Sequence, residues 1–215
     1  SSNDGCDETY RGNLPFSEPE TQVIRDFVEF HNFPIALNYH SYSNLLIYPL
    51  GYEYDNPISQ EDLDIFIEYG EDMTQYNGYA LGSGPELLYP VNGEACDWMY
   101  GDQGIFAYTP EIGGNSDGFW PQTSRIVPLA EENLYPNQFL ANVAGPKYKI
   151  GISVNEGPYT MGNSYPLFIS VFNQGLGHSN GEVHVEIEHS DNIEFELSEI
   201  VLDPLESREY LDLGG

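Results

Sequence analysis

The chain has 215 residues, 40% hydrophobic and 14% aromatic, enough for one large domain or two modest ones and too apolar for a disordered chain. Against 35 Asp and Glu stand six Lys and Arg, a formal net charge of −29. That balance excludes a nucleic-acid binder, whose affinity comes from cations displacing counterions at phosphate, and it disfavours docking on an anionic membrane. No apolar run approaches the roughly 20 residues that span a bilayer.

The opening Ser1-Ser2-Asn3-Asp4-Gly5-Cys6 is not a signal peptide, which would begin basic and turn apolar; it reads as the middle of a longer sequence. The carboxylates read as a solvated acidic surface, suited to salty or cation-rich surroundings that screen self-repulsion. Ca²⁺ is a further cation they could hold, but no D-x-[DN]-x-[DN]-G loop is present. Cys6 and Cys96 permit one disulfide or two separate fates and do not fix the compartment.

Taken in chain order, Ser17-Glu18-Pro19-Glu20 opens a helix with Ser17 as N-cap, Pro19 in the first turn and acids at the positive end of the dipole. Val23, Ile24, Phe27 and Phe30 follow at helical spacing, and Asn32-Phe33-Pro34 stops the run. Residues 35–39 read as a buried strand. A second helix is predicted over 59–76 with Leu63, Ile65, Phe66 and Tyr69 facing the core, a strand over 104–109, and a third helix over 125–142 with Ile126, Leu129, Leu134 and Phe139. Alternating strands and helices predict an α/β layered domain.

Near Ala144-Gly145-Pro146 the pattern changes to period two, which places a boundary at about residue 145 and divides the chain into 1–145 and 146–215. Four strands are predicted beyond it. Their aligned faces are Tyr148, Ile150, Ile152 and Val154; Tyr165, Leu167, Ile169 and Val171; Val183, Val185 and Ile187; and Ile193, Phe195 and Leu197. This is an all-β sandwich, short at about 70 residues and therefore read as truncated.

Among five histidines, His184 and His189 would point to opposite faces of a strand. An exposed polar face explains His184 and Glu186 better than a metal does; His31 suits a helix C-terminus, and His178 lies in a turn. His40 stands apart because it ends a strand, where sites form in α/β sheets, and runs into Ser41-Tyr42-Ser43. No H-x-x-E or H-E-x-x-H exists in the chain, so His40 alone cannot build a three-ligand zinc site. Glu111 follows the strand at 104–109 and precedes Ile112-Gly113-Gly114; a carboxylate there could serve as a general base, or be one more surface acid.

These residues together resemble the zinc metallocarboxypeptidases (carboxypeptidase A/T-like). Cys6-Asp7-Glu8-Thr9-Tyr10-Arg11-Gly12, followed by Pro15-Phe16-Ser17-Glu18-Pro19-Glu20-Thr21, is similar to that family's C-S-E-T-Y-R-G … F-S-E-P-E segment. His40-Ser41-Tyr42-Ser43 through Tyr48-Pro49-Leu50-Gly51-Tyr52 resembles the stretch with its third zinc ligand. Leu88-Tyr89-Pro90 with Asp97-Trp98 and Tyr100 resembles the stretch with its mobile tyrosine, and Tyr108-Thr109-Pro110-Glu111 the stretch ending in its catalytic glutamate.

The resemblance implies zinc as cofactor with His40 as ligand, and Glu111 as the base that takes the water proton and delivers it to the leaving amine. It implies that Tyr89 closes on the substrate's terminal carboxylate, and that Ser41, Tyr42 and Phe119 line the subsites upstream of the cleaved bond. Glu94 and Cys96 would floor the pocket for the terminal side chain. The family's H-x-x-E ligands, carboxylate-clamping arginines and asparagine, and the disulfide partner of Cys6 lie upstream and are not in this sequence. The resemblance thus implies the C-terminal half of a peptidase domain followed by an Ig-like or CARDB-like β-sandwich.

Its partners would be peptide or protein C-termini and the upstream half of the same domain, with no nucleic acid and no membrane span. Its location would be secreted and bacterial-type. A catalytically inactive, peptidase-like binding or adhesion module is the alternative, and an upstream H-x-x-E would decide between the two.

Overall fold

A computed structural model describes residues 2–55 and 57–214, which divide into two compact units, Ser1–Leu140 and Ala141–Gly215. In the first, α1 (Pro19–His31) starts at the proline and stops at Asn32, which adopts the left-handed conformation. Glu18, not Ser17, is the N-cap residue, and the Ser17 hydroxyl donates instead to the Glu18 carboxylate at 2.9 Å. Val28 is the buried residue of this helix, whereas Val23, Ile24, Phe27 and Phe30 are exposed, Phe30 to 79%.

The strands β1 (Ile35–Leu37), β2 (Leu45–Tyr48), β3 (Ala80–Ser83) and β4 (Phe106–Glu111) form one mixed sheet in the order β1-β4-β2-β3. β1 and β4 run parallel with Leu37 opposite Tyr108, while β2 is antiparallel to β4 with Leu45 opposite Glu111. The parallel pair therefore delivers its C-terminal ends to the place where β2 begins. β4 extends through Pro110 and Glu111, beyond the expected end at 109. β2 was not anticipated: its four residues are all buried, and a run that short shows no periodicity.

α2 (Gln60–Thr74) lies where its apolar spacing predicts, with Ile65, Phe66 and Tyr69 buried and Leu63 partly so. Phe66 meets the rings of Tyr48, Tyr100, Phe106 and Tyr108 at 5.0–5.9 Å between centroids. Ser59 caps this helix, its hydroxyl accepting from the Asp62 amide at 3.1 Å. In the intact protein Ser59→Ala should cost about 1 kcal/mol, read as a lower urea midpoint at unchanged slope. An unchanged midpoint would show that water replaces the cap without loss.

After the short α3 (Gly84–Leu87), α4 (Ala95–Gln103) packs Cys96 and Met99 with Val28, Ile105 and Ala107 in one apolar cluster. The expected single helix over 125–142 is instead a 3₁₀ turn at Thr123–Arg125 followed by α5 (Ile126–Glu132) and α6 (Leu134–Val143). Two causes meet at the break. Pro136 has no amide to continue the ladder, and the buried Asn133 turns its side chain back to the Leu129 carbonyl at 2.9 Å and the Tyr79 hydroxyl at 3.1 Å. Of the four residues expected inside, Leu129 and Phe139 are buried, and Ile126 and Leu134 are exposed.

In the second unit, β5 (Tyr148–Val154), β6 (Leu167–Asn173) and β9 (Tyr210–Asp212) form an antiparallel sheet in the order β5-β6-β9, and β7 (Val183–Glu186) pairs with β8 (Glu199–Leu202). Val171 from the larger sheet joins Val183, Val185, Leu202 and Leu205 in one buried cluster. The expected strand with Ile193, Phe195 and Leu197 does not form. Alternation reports which face a side chain occupies, not whether its backbone has a partner, and β7 finds that partner at 199–202, placing Val183 opposite Leu202 and Val185 opposite Ile200. Asn173 is fully buried with four hydrogen bonds: it accepts from the Lys147 and Gly175 amides and donates to the Gly177 and Glu206 carbonyls, at 2.8–3.1 Å.

Candidate active site

The ladder between β1 and β4 continues past Leu37. The Asn38 amide donates to Tyr108 O at 2.8 Å, the His40 amide to Pro110 O at 2.8 Å, and the Ile112 amide to His40 O at 3.0 Å. His40 and Glu111 are thereby bridged as backbone neighbours at the strands' carboxyl ends. The Asn38 side-chain amide group lies 3.2 Å from His40 Nε2. The nitrogen of that group faces the ring, so its N–H donates to Nε2 and a neutral His40 carries its own proton on Nδ1.

Glu111 is the more telling group. Its Oε2 is buried and has no hydrogen-bond partner among the described residues. Burial raises its carboxyl above the ordinary range, His40 opposes the shift and the Glu94 charge adds to it. A buried, unpartnered carboxylate oxygen costs free energy unless something outside these residues satisfies it, as a proton-donating water would.

Behind Glu111 lies a second acidic group. Thr109, two residues earlier on the same face of β4, donates its hydroxyl to Glu94 Oε1 at 2.9 Å and lies 2.9 Å from Cys96 Sγ. Cys96 is buried beneath it, and burial pushes its thiol far up. Asp97 accepts the Gly51 amide with both carboxylate oxygens at 2.9 and 3.1 Å; burial, then the Glu94 charge, pushes its carboxyl up to about 6 against that hydrogen bond. A methyl group on the Gly51 Cα would press on Glu94 Oε2 and the Val91 side chain, so a larger residue there would displace the Glu94 carboxylate. The Val91 amide donates to Gly51 O at 2.8 Å, which fastens the loop that carries Tyr89 to this floor.

The structure brings His40 and Glu111 together by backbone, Glu94 and Cys96 through Thr109, and Tyr42 and Phe119 as an edge-to-face ring pair with centroids 5.0 Å apart. Ser41 is half-buried beside His40, and Tyr89 stands 65% exposed. Thr109, Gly51 and the buried role of Asp97 escaped the sequence reading. Period two along β4 could have flagged Thr109, while Gly51 shows only in three dimensions. Among the described residues no three His, Cys, Asp or Glu are placed to hold a metal ion. The donor set here is one imidazole beside an unpartnered carboxylate, which fits one side of a zinc centre and leaves its remaining ligands to come from outside these residues.

The sequence profile of the zinc carboxypeptidases matches residues 1–136. Mast cell carboxypeptidase A of Homo sapiens is 35% identical over 147 residues, covering 65% of this chain and 35% of that protein. Carboxypeptidase B of Astacus astacus is 34% identical over 150 residues, covering 66% of this chain and 50% of that protein. Among solved structures, bovine thrombin-activatable fibrinolysis inhibitor in complex with tick carboxypeptidase inhibitor aligns with TM-score 0.60 at 28% identity, over 67% of this chain and 51% of that one. The carboxypeptidase A of Helicoverpa armigera aligns with TM-score 0.59 at 27% identity, over 67% of this chain and 38% of that one. The chain thus spans about a third to a half of the length of the curated relatives it matches.

Proposed function

The chain belongs to the zinc carboxypeptidase family, and from that premise we propose that it forms one side of the active site of a secreted metallocarboxypeptidase, with an appended Ig-like or CARDB-like β-sandwich at 146–215. The observation that carries this reading is the His40–Glu111 bridge with its unpartnered Glu111 Oε2. His40 would be one protein ligand to zinc. When bound, zinc supplies Lewis-acid polarisation of water and of the scissile carbonyl. Glu111 accepts the proton of the attacking water and returns it to the leaving amine, a task suited to a carboxyl raised by burial. Tyr89, on an exposed loop fastened at Val91, closes over the substrate's terminal carboxylate. Ser41, with the Tyr42–Phe119 ring pair, lines the path of the residues before the cleaved bond.

The relatives bear the names carboxypeptidase A and carboxypeptidase B, so likeness alone does not choose the terminal residue. Charge supports one choice: Glu94 and Asp97 converge on Gly51, which favours an acidic floor over a neutral one based on Cys96. A C-terminal Lys or Arg would offset two crowded carboxylates in a partly desolvated site. The expected result, on peptides differing only in their last residue, is faster release of Lys and Arg than of Phe or Leu by the intact protein. The reverse order would sink the acidic floor. Release of no residue at all, with zinc bound, would favour a binding module.

A further inference from the structure

Directly after Glu111 the chain turns through Gly113 and Gly114 and reaches Phe119 at the rim of the site. Gly113 has a φ of +85°, and an added methyl group would press on Asp117 Cβ at 3.1 Å. Asp117 sits at the centre of this turn with its side chain 5% exposed. Its Oδ1 accepts from Arg125 Nε at 2.7 Å; its Oδ2 accepts from Arg125 Nη2 at 3.2 Å and from the Gly114 amide at 3.0 Å. The Asp117 amide closes the loop on Gly114 O at 2.9 Å.

The loop is also tied across the site, since the Asn44 amide donates to Gly113 O at 3.0 Å, two residues beyond the Tyr42 ring that meets Phe119. The loop that ends in Phe119 is therefore fastened by the two-pronged Asp117–Arg125 pair and by the Asn44–Gly113 bond, and it meets Tyr42 through the Phe119 ring. Only six Lys and Arg exist in this chain, and this arginine, its side chain 41% exposed, turns two of its nitrogens to the one buried carboxylate of the loop. The guanidinium and the Gly114 amide keep the Asp117 carboxyl below the usual range, so the pair stays ionised at neutral and mildly acidic pH.

We propose that Asp117 and Arg125 are positioning residues for peptide hydrolysis: their ion pair fixes the 113–119 loop so that Phe119 and Tyr42 present their rings to the substrate residues upstream of the cleaved bond. This rests on the peptidase reading above. Neither residue touches substrate; they act through Phe119, and a misplacement of about 1 Å in a positioning group can cost up to about 10²-fold.

The test uses the intact, zinc-loaded protein with Asp117→Asn, Arg125→Gln, Arg125→Lys and the Asn/Gln double variant. Two substrates share a C-terminal residue: a blocked dipeptide with glycine before it, and a longer peptide with aromatic residues upstream. KM for the longer peptide should rise about 5–20-fold with kcat within about twofold, while KM for the dipeptide barely moves. The double variant should be no worse than either single, because the pair acts as one unit. Arg125→Lys should recover only part, lacking the planar fork. Amides of residues 113–119 should exchange hydrogen faster in each variant. Equal losses on both substrates, additive losses, or faster exchange with unchanged KM would overturn the positioning role. A wild-type protein that releases no residue from either peptide would overturn the peptidase reading instead, and hydrogen exchange would then report whether the pair holds the loop at all.

Discussion

Glu111→Gln in the intact protein should abolish peptide hydrolysis, lowering kcat by about 10²–10⁴-fold or more, while zinc content and KM stay within about twofold. The amide keeps the size of the carboxylate and removes its proton affinity, so the variant separates acid–base work from shape. Gln is also tolerable sterically, because Glu111 ends β4 with its backbone bridged to His40 and its Oε2 buried without a partner. The unpartnered oxygen adds a second expectation. A buried carboxylate disfavoured by its surroundings is a source of instability, so the variant should unfold at the same or a higher temperature than the wild type. Turnover within about tenfold of wild type, at full zinc occupancy, would remove Glu111 from the mechanism.

How much of this was legible before the fold can be judged residue by residue. α2 was readable because Leu63, Ile65, Phe66 and Tyr69 keep a helical spacing within its fifteen residues. β7 was readable because Val183 and Val185 alternate with His184 and Glu186. β2 was not, since a fully buried strand of four residues has no polar face to mark its period. The break at Asn133 was hidden because apolar spacing runs straight through it, and only the Pro136 ring and the Asn133 back-bond interrupt the ladder. At the site, His40 and Glu111 stood out as strand ends that resemble family motifs. Their bridging is a consequence of parallel pairing that neither segment encodes alone. Gly51 carries no sequence signal, because its closeness to the Glu94 carboxylate, forty-three positions away, arises only in the fold.

Expressed by itself, the 215-residue chain should hydrolyse no peptide and should bind zinc no better than its other exposed histidines do. A catalytic zinc takes three protein ligands and an open position, and a single imidazole cannot hold the ion against water and buffer. Among the described residues His40 has no companion ligands. The first unit also leaves the apolar residues Val23, Ile24, Phe27 and Phe30 of α1 in water, and its described sheet ends at β1 and β3 with no further strand paired outside them. Apolar faces and open edges of this kind favour association, so the chain expressed by itself should self-associate. Calorimetric zinc titration beside sedimentation analysis gives the reading. The expected outcome is weak, multi-site uptake that His40→Ala leaves unchanged. A monodisperse chain with one nanomolar site lost in His40→Ala would show that the remaining ligands lie within these residues, and the assignment of His40 as one donor among absent partners would fall.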